Sequence, residues 1–177
     1  MQSLEIDRPA AHEYDPYYSV YIERVEGRHL TDILHRQSEE ISRLLTGMSD
    51  ERARYRYAAG KWSIKEVVGH LIDCERVFAF RALSIARGEQ QRLPGFEQDA
   101  YVTVAGFDDR ALDDLLAEYR TVRRATLALF DSFDPAAWMR SGIANDGSIS
   151  VRALAYIVAG HEAHHLAVLR ERYLGAG

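Results

Sequence analysis

Between Ser150 and Tyr173 the chain sets two histidines into an apolar helical stripe, and this feature constrains the fold more than any other. Leu154, Val158, His161, His165 and Leu169 recur at helical spacing, so they share the face that should point into a core. At about 100° per residue, His161 and His165 stand roughly 40° apart and one turn above each other. Imidazole nitrogens on an inward face cost free energy unless they are bonded. One metal ion can bond both rings. The competing reading is a hydrogen-bonded polar network with Glu162 and Glu75, or a wet cleft. His164 projects off the stripe and is the weaker ligand candidate.

Three further segments carry the same period. Leu30, Ile33, Leu34, Ile41, Leu44 and Leu45 predict a helix from His29 to Leu45, with Gly47 as its stop. Ser63-Ile64-Lys65-Glu66 is a capping-box pattern, and Ile64, Val67, Val68, Leu71, Phe78, Ala82 and Ile85 continue it as a helix to about Arg87, ending at Gly88. Leu112, Leu115, Leu116, Tyr119, Val122, Leu127 and Phe130 predict a helix from about Asp109 to Asp131. Ser150 caps the last helix, which runs from Val151 to about Tyr173. Four such helices pack most simply as an all-α four-helix bundle, and two long connections leave room for a crossover. One connection, from Gly88 to Asp108, has no clean period and accommodates a short helix. The other holds the turn Asn145-Asp146-Gly147 and a small hairpin. Residues 1–27, with Pro9, Pro16 and a run of tyrosines, read as an N-terminal arm packing on the bundle.

Composition narrows the function classes. A chain of 177 residues with 47% hydrophobic content can bury one sizeable core, so residues 1–177 are expected to form a single domain. The 27 acidic residues outnumber the 22 basic ones, giving a net charge of -5 with no basic run, which argues against nucleic acid as a partner. Charged residues or histidine interrupt every apolar segment, so no membrane span is expected. The single cysteine, Cys74, cannot form an internal disulfide, and the first ten residues lack the pattern of a secretory signal, so the expected compartment is the cytoplasm.

His161-Glu162-Ala163-His164-His165 also matches the His-Glu-x-x-His pattern of zinc peptidases, in which the glutamate activates water. Such enzymes generally take a third ligand from downstream, yet only 12 residues follow His165, with Glu171 their sole acid. A third ligand is therefore sought upstream. His70, inside the second helix and one turn before Cys74, is the best placed; His12, His29 and His35 lie at or near the arm and first helix. Glu162 is the candidate catalytic base, with a buried salt link to an arginine as its alternative. Asp73 and Glu75 are candidates for orienting the His70 ring. Cys74 is a candidate soft ligand or a small core residue. Trp62, Phe96, Tyr101 and Trp138 are candidate pocket walls or core.

With these segments in view, the chain resembles the DinB-like, or YfiT-like, family of metal-dependent enzymes. The resemblance is carried by Glu13-Tyr14 to Tyr21, by Lys61-Trp62-Ser63-Ile64-Lys65-Glu66-Val67-Val68-Gly69-His70-Leu71-Ile72-Asp73, by Leu93-Pro94-Gly95-Phe96-Glu97-Gln98-Asp99, and by Ser150 through His165. It implies an up-down-down-up bundle, a metal site of His70, His161 and His165 holding zinc or nickel, and a homodimer. It also implies a small-molecule substrate, met by hydrolysis or by transfer of a low-molecular-weight thiol.

Three neutral imidazoles leave a tetrahedral zinc one open position, where bound water reaches a pKa of about 7. A thiol held there is a thiolate, the nucleophilic form. The alternative class is a noncatalytic bundle with a structural metal site, in which a fourth protein ligand would close the shell.

Overall fold

The computed structural model describes residues 5–175. Its long elements are α1 (Leu30–Leu45), α2 (Ile64–Ala86), a short α3 (Gln98–Ala105), α4 (Leu112–Asp131), the hairpin strands β1 (Ser141–Ala144) and β2 (Gly147–Ser150), and α5 (Val151–Val168).

Local chemistry accounts for most boundaries. At the start of α2, the Ser63 hydroxyl accepts the Glu66 N–H at 3.1 Å while the Glu66 carboxylate accepts the Ser63 N–H at 2.8 Å, the reciprocal capping box read from the sequence. Such caps are worth about 1 kcal/mol. Gly47 follows α1 with φ +81°, a left-handed conformation that glycine adopts without steric cost. The hairpin pairs Ser141 with Ser150 and Ala144 with Gly147. Its two loop residues, Asn145 and Asp146, have φ 51° and 62°, the two positive values that a tight primed turn demands.

Two boundaries differ from the expectation. Helix α4 begins at Leu112 rather than near Asp109, because Phe107–Asp109 form a separate 3-10 turn. The Arg110 carbonyl is drawn to the Lys65 ammonium, and the Leu112 N–H is capped at 2.9 Å by the Asp50 carboxylate. Both partners are remote in sequence. The last helix keeps α geometry only to Val168 and then widens into a π turn over Leu169–Tyr173.

Helix directions follow from paired contacts. Along α1 and α5, Gln37 donates to the Ala159 carbonyl at 2.8 Å and Glu40 pairs with Arg170, so the two run parallel. Along α2 and α4, Glu75 pairs with Arg123 and, further on, Arg87 reaches Ser132, so these also run parallel. Helices α1 and α4 are antiparallel, since the Leu34 carbonyl meets Arg123 while Asp50 meets Leu112. Helices α2 and α5 are antiparallel too, with Trp62 beside His165 and Phe78 beside His161. The bundle is therefore up-down-down-up.

The apolar core falls into two clusters. One gathers Ile22, Leu34, Phe78, Phe130, Trp138 and Leu154 around the arm and hairpin; the other gathers Ile41, Val68, Ile72, Leu115, Tyr119 and Leu169. Buried polar side chains, His70, Glu75, Arg123, His161 and Glu162, lie at the level between them. From Ala11 to Ile22 the arm forms short helical turns, and Tyr18, Ile22 and Val25 are buried. No helix among the described residues is long and apolar enough to cross a membrane.

Candidate metal centre

Helices α2 and α5 bring His70, His161 and His165 to one point. Their ligand atoms all lie within 4.8 Å of one another. The Nε2 atoms of His70 and His161 are 2.9 Å apart, and those of His161 and His165 are 3.2 Å apart. Tetrahedral ligation at the usual Zn–N length puts donor atoms about 3.3 Å apart. The spacing therefore fits a divalent ion.

The rings are held dry. His70 is 2%, His161 5% and His165 9% exposed. Burial pushes the His70 imidazolium down to about 4, helped by nearby His164. Burial also holds His161 and His165 well below the ordinary histidine value, with neighbouring histidines adding to it. All three rings are neutral near pH 7, the form that binds metal. One N–H among three converging Nε2 atoms cannot satisfy the remaining lone pairs, and the buried Nδ1 of His165 has no hydrogen-bond partner among the described residues. A cation at the convergence resolves the first of these.

Among the described residues no fourth histidine, cysteine or carboxylate joins the group. Cys74 Sγ lies against the His70 ring, 3.5 Å from Nδ1 and 3.6 Å from Nε2, and burial raises its thiol to about 12. The trio is flanked by two clefts. The first, of about 250 Å³, is lined by Tyr17, Tyr21, Phe78, Arg81, Phe96 and His161 among others. The second, of about 310 Å³, is lined by Trp62, His164, His165 and Tyr173 among others. Asp99, at the start of α3, borders both.

Several predicted site residues lie elsewhere. Glu162 turns its carboxylate away from the rings, accepting from the Tyr119 hydroxyl and pairing with Arg123. Arg123 also holds Glu75 through bonds of 2.9 and 2.7 Å. Burial alone would lower the guanidinium, but the two carboxylates raise it well above its usual value and keep it charged. Burial raises Glu162, against the pull of Arg123. Glu75 is thus committed to Arg123 and Asp73 faces Arg76 at 3.8 Å, so neither orients His70 as the sequence spacing proposed. Helix spacing places them near His70 in sequence but not on its ring.

The aromatic candidates divide. The Trp62 ring lies 4.6 Å from that of His70, and Phe96 lines the first cleft. Tyr101 packs on Phe96 at 5.3 Å, behind that wall. Trp138 is core, packed with Phe130 and Phe133 far along the bundle. His164 joins the edge of the site through Tyr21, at 5.7 Å between ring centres.

Sequence reasoning missed Tyr21, Arg81 and Arg123. Tyr21 covers His161 edge-on at 5.3 Å. Arg81 and Arg123 were legible as cations on inward stripes, since Arg81 follows His70 by three helical turns on the same face.

Comparison with known proteins fits this geometry. The family model of the DinB superfamily matches residues 33–169, most of the bundle and all three histidines. The chain belongs to the DinB superfamily. Among solved structures it is similar to YfiT from Bacillus subtilis, described as "a probable metal-dependent hydrolase with an unusual four-helix bundle topology". The TM-score is 0.73 at 18% identity, covering 80% of this chain and 82% of that one. No curated protein sequence matches it.

Proposed function

We propose that this DinB-superfamily chain is a metal-dependent enzyme acting on a small-molecule substrate, with His70, His161 and His165 as ligands of one divalent transition metal. The observation that carries this is the convergence of three buried, neutral Nε2 donors with no fourth protein ligand among the described residues, beside clefts open to solvent. A closed four-ligand shell marks structural zinc, whereas three ligands beside a cleft leave a position for substrate. Imidazole donors suit zinc or nickel. When bound, such an ion supplies a Lewis acid and an exchangeable position for water or a low-molecular-weight thiol.

Around it, Tyr21, Trp62 and Phe78 exclude water from the rings, and Arg123 with its two carboxylates fixes α2, α4 and α5 at the level of the site. In this reading Glu162 is a positioning residue, because both its oxygens are already engaged. Hydrolysis is the first reaction to test, given the description of YfiT; thiol transfer, implied by the resemblance, is the second. The homodimer implied by the resemblance is part of the proposal and is read from solution mass by light scattering.

The test is elemental analysis of untagged protein beside a His161→Ala/His165→Ala double variant. About one zinc or nickel per chain, lost in the variant, supports the reading. No metal in the native protein after reconstitution sinks it and favours the noncatalytic bundle.

A further inference from the structure

Three cationic side chains are buried among the described residues: Lys65, Arg81 and Arg123. Two have acids. Lys65 meets Asp50 at 2.9 Å, and Arg123 holds Glu75 and Glu162. Arg81 is only 2% exposed, yet among the described residues no carboxylate lies within ion-pair distance of it.

Its known partners are neutral. One Nη donates to the Pro94 carbonyl at 2.7 Å, the guanidinium lies 6.0 Å from the Phe78 ring centre and 5.7 Å from that of Phe96, and the Tyr18 hydroxyl is near enough to feel its charge. A guanidinium offers five donors in a planar fork, and a buried charge without a counter-charge is costly. Arg81 lines the first cleft together with His161.

We propose that Arg81 is the recognition residue for a carboxylate on the substrate, which enters the first cleft with its acid end on Arg81 and its reacting end toward the histidines. The inference rests on the metal-enzyme reading for what happens at the far end, but the anion site itself does not need the metal. The fork geometry of arginine matches a carboxylate bidentately. The Phe78 and Phe96 rings flank the guanidinium and shield the pair from water, which strengthens it. Exposed Glu97 and Asp99 stand at the rim of the same cleft and repel polyanions, so a single carboxylate on an apolar body fits better than a polyphosphate. Tyr17, Tyr18 and Phe96 provide aromatic surface for that body.

The experiment titrates metal-free and zinc-loaded protein with 4-phenylbutanoate and with its neutral isostere 4-phenylbutan-1-ol, following the Arg81 Nε–Hε resonance by NMR. The expected result is saturable binding of the acid at least tenfold tighter than that of the alcohol, with the Arg81 resonance shifting. In Arg81→Gln the preference falls to within twofold, and in Arg81→Lys part of it returns. Equal affinity for acid and alcohol in the native protein overturns the proposal whether or not the variants fold. So does an undiminished preference in Arg81→Gln. Metal content is measured on the same samples. Acid preference in a chain that never takes up metal upholds the anion site and sinks the enzyme reading; metal uptake without acid preference does the reverse.

Discussion

Gly160 and Tyr21 meet backbone to backbone: a Cβ placed on Gly160 would sit 2.0 Å from the Tyr21 carbonyl oxygen. The arm can therefore lie against α5 only because position 160 has no side chain, and that position immediately precedes His161. The same seat lays the Tyr21 ring across His161 and His164. Gly160→Ala is expected to lift the arm at this point and cost about 1–3 kcal/mol, the usual range for overpacking. Proteolysis between residues 5 and 27 should accelerate while far-UV circular dichroism stays helical. An unchanged cleavage rate and melting midpoint would show that the arm does not depend on this contact.

The layer between the two apolar clusters gives a second prediction. Among the described residues Arg123 is the only counter-charge within bonding reach of two buried carboxylates, Glu75 and Glu162. Arg123→Met removes it and leaves both acids buried without compensation, which should cost about 3–5 kcal/mol by urea denaturation. Glu162→Gln removes one acid while Glu75 stays paired, so it should cost less and keep one metal per chain. Loss of metal from Glu162→Gln with its stability intact would mean that Glu162 acts directly at the centre.

A third concerns acid. Glu13 accepts from Arg152, Ser150 and the Ala10 N–H, clipping the arm to the N-terminus of α5. The Arg152 bond is the largest influence, and the carboxyl is held from an ordinary 4.5 down to about 2. A depressed carboxyl stabilises the fold above its unfolded value and loses that contribution as pH falls through the folded one. Stability should decline between about pH 4.5 and pH 2, and the decline should be shallower in Glu13→Gln. Parallel curves for the two proteins would remove Glu13 from the acid response.

Cys74 gives a fourth. Its sulfur lies against the His70 ring, near both nitrogens, yet stays outside the three-histidine group, so Cys74→Ala should keep one metal per chain and lose only packing, about 1 kcal/mol. Metal loss from this variant would make the sulfur a ligand.

These positions also mark what could be read before the fold was known. The pair His161 and His165 announces itself by a one-turn spacing on an apolar face, and His70 by its place inside the second helix, beside the apolar stripe and one turn before Cys74. Helix identity was legible for the same reason, because the periodicity of α1, α2, α4 and α5 is local. What escaped depends on partners distant in sequence. The start of α4 is set by Asp50 and Lys65, and the role of Glu75 by Arg123; for Glu162 the salt link to an arginine was among the readings of the sequence, but which arginine was not. Stripes read by counting apolar residues pass over a buried arginine, although its position on the stripe is the clue.

The parallel course of α2 and α4 has an outcome for how such a protein changes over time. Helix α2 spans 23 residues, about 34 Å, so the chain must travel back along nearly the full bundle before α4 can begin. That return passes over the first cleft, where Phe96, Glu97, Gln98 and Asp99 supply its outer wall. One side of the cleft is thus a connection, the part of a fold most tolerant of substitution and insertion, while the histidines opposite sit on helices locked into the core. Selectivity can drift with residues 89–99 while the metal ligands hold still, so relatives sharing the three histidines can diverge in what they accept without refolding.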